Sequence, residues 1–524
     1  MPGRLLLFTL LAGSLAADTY PRQYGLDVQH YRFSIELRDD TDEIAGEAAV
    51  EVLFVKDGVT EIGLDLAQTM QVADVVSAGP VRFRHEADRL KIALAGAPRA
   101  GERRVFTIRY HGRPAGGLRI GANRYGDRTF FSSNWPDLAH QWLPVIDHPY
   151  DKASSEFLIT APDRYEVVAN GALEEMTELG GGRRLTHWKE SRPIAAWLNA
   201  VGAAPFAERN FGTAAGIALQ TWVYRQDREA GISAFEAPMR QAMEFYSDRI
   251  GPYPYEKLAG VEAAGVDGGM EHASAVFYGE SSVDGRPASS LVAHEVAHQW
   301  FGDAVTEKDW DDVWLSEGFA TYFALLTTEH YDGRAAFVAE LKRSREAIFA
   351  LQKRMPGETV VHRNLSDMRK VLNRLVYDKG GWTLHMLRGQ IGDDAFWSGI
   401  REYYRRYRDG NASTEDFRHA MEEASHEDLE WFFRQWLQRP GWPAIEGKWR
   451  YDSAAHRVEM DLTQTQAGEA YRLPIEVSPG DGKAEKIEMN GKRQHFAMAS
   501  AGEPSSVVLD PDTWVLMESR LTKQ

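Results

Sequence analysis

The chain carries the stretch "SSLVAHEVAHQWFGDAVTEKDWDDVWLSEGFATY" from Ser289 to Tyr322, and four of its residues, His294, Glu295, His298 and Glu317, are of types that bind metals and move protons. His294 and His298 are four apart, so on a helix their imidazoles leave the same face and can share one metal ion. Glu295, beside the first histidine, can reach a water next to that ion without being a ligand, which is the general-base position of a zinc hydrolase. A catalytic zinc needs three protein ligands and one open position, and the chain has no cysteine, so the third ligand must be His, Asp or Glu. Glu317 is the best placed. The competing reading is a pair of helical histidines satisfied by surface hydrogen bonds, and the bare His-Glu-x-x-His pattern does not by itself decide between the two.

The elements that must position these groups can be read from periodicity. Val292, Val296 and Trp300 recur every four residues on the side away from the histidines, with Leu291 and Phe301 flanking the histidine stripe, so a buried helix is expected. A second helix, "SEGFATYFALLTTEHY", is expected to open on Glu317 with Ser316 as its cap, and a turn from "EKDWDDVW" can bring it back alongside the first. Asp312 in that turn either orients a ligand or is an exposed turn aspartate.

At 524 residues the chain calls for roughly two to four domains. Residues 1–17, "MPGRLLLFTLLAGSLAA", combine an early arginine, a short apolar run and a small-residue end, the pattern of a secretory signal. Residues 18–210 are rich in alternating strand formers, as in "YRFSIEL" and "EAAVEVLFV", and read as an all-β domain. Residues 211–440 begin with the strand "ALQTWVYR" and become mainly helical, through "FEAPMRQAMEFYSDRI", "GGWTLHMLRGQI" and the long periodic run "TEDFRHAMEEASHEDLEWFFRQWL". Strand patterns return in 441–524, which suits a small β-sandwich. The formal charge of −17 argues against a nucleic-acid partner, which would want a basic face. No stretch is long and apolar enough to suggest a membrane span. Export without any cysteine suits a bacterial periplasm or medium. No obligate protein partner is evident.

"HEVAH", eighteen residues and then the glutamate of "WLSEGFATY" resemble the gluzincin zinc aminopeptidases, metallopeptidase family M1, the group of aminopeptidase N and leukotriene A4 hydrolase. Other segments agree in order. "GGMEH" (268–272) resembles the family's G-x-M-E-N exopeptidase motif, "GPYPYEKL" (251–258) the segment leading into it, and "VYDKGG" (376–381) the segment carrying the family's catalytic tyrosine. "WLPVIDHPYDKASSEFLI" (142–159) looks like the F-P-C-x-D-E-P region, with Val145 in place of cysteine. The resemblance implies a saddle-like β domain, a thermolysin-like catalytic domain and a β-sandwich. It implies one zinc ion per chain on His294, His298 and Glu317, with Glu295 as base and Tyr377 as donor to the oxyanion. Gly268, Gly269, Met270, Glu271 and His272 would bind the peptide substrate, Glu271 taking its free α-ammonium.

Two departures bear on that substrate site. His272 replaces the family's asparagine, and Trp135 falls where the family places a glutamate or glutamine that also contacts the amine. Trp135 is therefore expected to offer a cation–π face or to narrow the first subsite. A more open cleft, tolerant of longer peptides, is expected where relatives carry a large helical domain after the sandwich. The competing functions are a thermolysin-like endopeptidase, which would share the zinc site but has no use for Glu271, and a catalytically silent exported binding protein. Nothing in the sequence calls for the epoxide hydrolysis found in one branch of the family.

Overall fold

The computed structural model describes residues 18–480 and 483–524, so the signal segment expected over 1–17 lies outside the described residues. The first domain is built on a seven-stranded sheet whose central strand, Leu26–Glu36, pairs antiparallel with Ile44–Phe54 and parallel with Lys152–Pro162. Alternation sets its faces. In Ile44–Phe54, Ala48, Val50, Val52 and Phe54 are buried, while Ala49, Glu51 and Leu53 between them are only partly covered. A four-stranded and a three-stranded sheet complete this β-rich region.

The strand Phe206–Ala214 lies across the boundary expected at 210 and pairs with Ile217–Tyr224, so the crossing into the second region is made inside one sheet. That five-stranded sheet continues with Lys257–Ala263 and Ala275–Gly279, both parallel, and ends in the short antiparallel edge strand Gly269–Met270. Every residue of Lys257–Ala263 is buried, as expected of a parallel strand covered on both faces. Helices then dominate. The histidine helix Ser289–His298 and the helix Trp314–Asp332 are joined by an aromatic seam in which the Phe301 ring lies 4.7 Å from Phe319 and 5.0 Å from Phe323.

Two expectations about helices change. "TEDFRHAMEEASHEDLEWFFRQWL" keeps its period throughout, yet it forms two helices, Thr414–Ser425 and Glu430–Leu437, broken at His426, whose φ is +59°. The break lets the second piece swing Phe432, Phe433 and Trp436 into the core, a tertiary gain that outweighs one continuous helix. Trp300 and Phe301 lie beyond the last turn of the histidine helix, although both are buried.

The last region has a four-stranded and a three-stranded sheet with buried inward residues such as Val458, Met460, Ile475 and Val477. It is clasped to the helical region where the His385 ring stacks on Trp514 at 4.7 Å and its Nε2 meets the Thr513 carbonyl at 2.9 Å. Among the described residues no helix is long and apolar enough to cross a membrane.

Candidate active site

His294 and His298 leave one face of their helix with Nε2 atoms 3.1 Å apart. Glu317, in the first turn of Trp314–Asp332, brings Oε2 to 3.4 Å from each of those nitrogens. A tetrahedral zinc with bonds of about 2.1 Å keeps its ligand atoms roughly 3.4 Å apart. The three donors therefore already stand at the corners such an ion requires, at separations mostly too long for charge-assisted hydrogen bonds. Glu317 Oε2 is buried without a hydrogen-bond partner. His298 Nδ1 faces the Phe301 carbonyl at 3.2 Å and Ser316 Oγ at 3.0 Å. A proton on Nδ1 donated to that carbonyl leaves the Nε2 lone pair pointing at the cluster. On these observations the site fits a zinc ion.

The turn that brings the two helices together depends on Gly302. Its φ is +111°, and a Cβ there would come within 2.3 Å of Ser316 Oγ and 3.1 Å of His298 Nδ1. Ser316 is thus not the cap expected of it. The helix starts at Trp314 with Val313 at the N-cap, and the Ser316 hydroxyl is spent on the histidine. Asp312 takes neither role expected of it, because its carboxylate accepts from the Thr414 hydroxyl at 2.6 Å and the Thr414 N–H at 3.2 Å, tying this turn to a later helix.

A second set of donors overlaps the first: a carboxylate oxygen each from Glu271 and Glu295 and a ring nitrogen of His298 all lie within 4.8 Å of one another. Glu295 projects from the histidine helix against the edge strand, where a Cβ on Gly269 would lie 2.4 Å from its carboxyl carbon. Only a glycine lets strand and carboxylate approach so closely. Gly269 and Met270 pair on one side with Tyr278 and Phe277, which among the described residues leaves their other edge without a strand, and Gly268 turns the chain into that edge.

Charge in this pocket is one-sided. Glu271, Glu295 and Glu317 are all buried, and among the described residues no lysine or arginine forms an ion pair with any of them. Burial pushes Glu271 up to about 7, with the Glu317 charge adding to the rise and His298 opposing it. Glu295 is driven well above the usual carboxylate range by burial and then by Glu271. Burial also works against the charged form of Glu317, yet the two imidazoles hold it at about 2. His298 is penalised by burial too, but the surrounding carboxylates raise it well above an ordinary histidine. A cluster of this kind is stabilised by a cation supplied from outside the protein's own side chains.

Tyr377 comes in on a π-helical turn, Leu375–Lys379, with its ring near-parallel to His294 at 6.1 Å. Burial and the nearby Glu317 and Glu271 raise its phenol, which therefore remains a hydrogen-bond donor at any working pH. The two departures lie differently. His272 is fully buried with both ring nitrogens unpartnered, its ring 4.7 Å from Phe277, and burial lowers it to about 3, so it is neutral. Trp135 is half-buried, edge-on to Trp310 at 5.6 Å, and among the described residues no cation lies over its face. Two neighbours of the site escaped the sequence reading: Ser316, mistaken for a cap, and Gln299, whose Nε2 donates to the Glu271 carbonyl at 3.0 Å. A polar residue directly after a ligand and ahead of "WF" was the available signal for the latter.

Comparison with known proteins identifies the family. Residues 27–198 match the model of the peptidase M1 N-terminal domain, and residues 234–436 match that of the peptidase family M1 domain. The chain is 27% identical to "Probable aminopeptidase 1" of Sulfurisphaera tokodaii over 68% of its own length and 46% of that protein's. It is 26% identical to Tricorn protease-interacting factor F2 of Thermoplasma acidophilum over 88% of its length and 59% of the relative's. It spans about half the length of the curated relatives it matches. Among solved structures, the M1 zinc metallopeptidase of Deinococcus radiodurans is similar with a TM-score of 0.69 at 25% identity, covering 80% of this chain and 95% of that one. A two-domain M1 zinc metallopeptidase bound to L-arginine gives 0.71 at the same identity and the same coverage of both chains. Both halves of one family's architecture match in sequence order, together over well more than half of the residues, and the second match encloses His294, Glu295, His298, Glu317 and Tyr377: the chain belongs to peptidase family M1.

Proposed function

We propose that the protein is a zinc-dependent aminopeptidase, removing residues one at a time from the free N-termini of peptides. The observation that carries this reading is the Glu271 carboxylate, buried at the end of an unpaired strand edge, beside Glu295 and His298, with no lysine or arginine among the described residues to pair with it. A substrate α-ammonium is the cation that completes it. An internal peptide bond offers no such charge and would leave the carboxylate buried and unpaired.

His294, His298 and Glu317 would hold the zinc ion, which supplies Lewis acidity toward the scissile carbonyl and makes water acidic near neutral pH. Glu295 takes the proton from the attacking water and passes it to the departing amine. The Tyr377 hydroxyl donates to the carbonyl oxygen as negative charge grows there, a contribution of roughly 3 kcal/mol for a well-placed donor. The unpaired edge of Gly269 and Met270 accepts the substrate backbone as an added strand, with Gly268 giving the chain room to turn. Trp135 narrows the first subsite from the side of the N-terminal domain, and His272 packs on Phe277 as a neutral ring. If Trp135→Ala leaves both KM and side-chain preference unchanged, that role for Trp135 is wrong.

The deciding experiment measures hydrolysis of a panel of aminoacyl-arylamides and their N-acetylated counterparts, with zinc quantified, by the protein and by Glu295→Ala. Zinc near one per chain, with turnover abolished by the mutation and by acetylation, is the expected outcome. Equal cleavage of blocked peptides would make the protein an endopeptidase, and no turnover at all would leave a binding protein. We also propose that the chain is exported, on the signal-like 1–17. Finding the intact N-terminus in the cytoplasmic fraction would refute it.

A further inference from the structure

Gln299 follows the second histidine of the cluster and is wholly buried. Its amide works in two directions. Nε2 donates to the Glu271 carbonyl at 3.0 Å and to Asp303 Oδ2 at 2.8 Å, while Oε1 accepts from the Ser274 N–H at 2.8 Å and lies 3.0 Å from the Tyr253 hydroxyl. The segment from Glu271 to Ser274 is thereby held at both ends by one side chain.

That segment has reason to need holding. Ser274 has φ +62°, a left-handed backbone that a serine keeps only where its surroundings impose it. The N-terminal domain supplies the other grip. Asn170 Nδ2 donates to the Ala273 carbonyl at 2.6 Å, and the Gly171 N–H donates to Ser274 Oγ at 2.7 Å. The loop bearing Glu271 is clamped between the end of the histidine helix and a loop of another domain, and neither Gln299 nor Asn170 has its side chain in hydrogen-bond contact with the Glu271 carboxylate itself.

We infer that Gln299, assisted by Asn170, is a positioning residue that fixes the Glu271 carboxylate at the distance from the metal cluster required by a substrate ammonium, and so sets the preference for free N-termini. This rests on the aminopeptidase reading above. If the two amides did no more than satisfy buried carbonyls, their loss would lower stability and leave substrate discrimination alone. If they position Glu271, their loss appears in KM and in the choice between free and blocked substrates.

The test uses full-length zinc-loaded protein, Gln299→Met and Asn170→Asp, with kcat and KM measured on free and N-acetylated substrates and with zinc content and melting temperature followed in parallel. Methionine keeps the length of Gln299 without its amide. Aspartate keeps the oxygen that accepts from the Ala200 N–H but loses the donor to Ala273, and it lies away from the histidine helix should Gln299→Met disturb that element. Expected for Gln299→Met is unchanged zinc content, a KM raised about tenfold or more for free-amine substrates, kcat changed by less than about threefold, and a smaller preference over acetylated substrates. Asn170→Asp should move the same quantities in the same direction by less. Wild-type KM and preference in a folded, zinc-loaded variant, or a loss confined to kcat, would overturn the inference. Failure of the unmutated protein to discriminate blocked from free substrates is a distinct result and removes the aminopeptidase reading instead.

Discussion

Buried charge is handled in opposite ways in two regions of this molecule. At the domain seams, three buried lysines end on backbone carbonyls. Lys152 of the N-terminal domain reaches the carbonyls of Asp303, Ala304 and Gly410, Lys257 reaches back to Ala169 and Gly171, and Lys379 reaches Arg439 and Gly441 in the lead-in to the sandwich. Each is a buried amine that donates to carbonyls inside the protein, and each joins segments far apart in sequence. In the active site, three buried carboxylates and two imidazole nitrogens converge, and no lysine or arginine among the described residues pairs with them. A buried polar group satisfied internally fixes architecture, while a buried charge left open specifies what must arrive from outside. On the function proposed above, that is a metal dication on one side of His298 and a substrate ammonium on the other.

The contrast is sharpest at Glu295, which should be dispensable for zinc and indispensable for proton transfer. Glu295→Gln is expected to keep zinc near one per chain and lower kcat by about 10²- to 10⁴-fold, read by metal analysis and steady-state kinetics on the same sample. A parallel loss of zinc would mean that the carboxylate is structural, like the seam lysines. Next in size is Glu271→Ala. Leaving the substrate ammonium without its partner should cost about 10²-fold in kcat/KM for free-amine substrates and little for acetylated ones. If both classes lose equally, the open charge of Glu271 was balancing the metal site and not the substrate. A smaller effect is expected of Ser316→Ala, which deprives His298 Nδ1 of a neighbour while leaving the Phe301 carbonyl, and should weaken zinc affinity by about tenfold in a chelator competition. An unchanged affinity would show that the carbonyl alone orients the ring.

The same contrast explains what could be read from the sequence. The open site was legible because its parts are local: His294 and His298 share a face by spacing, Glu295 adjoins them, and zinc donors are limited to few residue types. Glu317 followed from the absence of cysteine and the second helix. Internally satisfied groups were not legible, because their partners are distant. Nothing in "VYDKGG" says that Lys379 ends on the carbonyls of residues 439 and 441, and nothing in "WLSEG" distinguishes a Ser316 that caps a helix from one that supports a histidine. The strand Ile217–Tyr224 was recognisable in "ALQTWVYR", but only its pairing with Phe206–Ala214 shows that its sheet straddles the expected boundary. The break at His426 was hidden because the apolar period runs straight through it, and the gain from turning Phe433 and Trp436 inward lies in the tertiary structure.

The seam lysines give the subtlest effect, and it appears in stability against pH. Burial lowers Lys379 from the usual lysine range to about 7, with Arg439 adding to the fall. Between about 7 and the ordinary 10.5 the unfolded chain therefore binds a proton at this residue that the folded chain has released. Unfolding takes up protons there, so this lysine makes stability rise with pH across the window, by at most about 1.4 kcal/mol per unit. Below about 7 both states are charged and its contribution no longer varies. Lys379→Met removes the titration and also the donors to two carbonyls, with zinc content unchanged. Denaturant unfolding at pH 7.5 and 9.5 should show the gap between the unmutated protein and the variant widening at the higher pH, whatever other groups do in common to both. A gap that stays constant would mean that Lys379 keeps its proton throughout, its two carbonyls sufficing to hold a full charge out of water, and the seams would then differ from the active site in geometry alone.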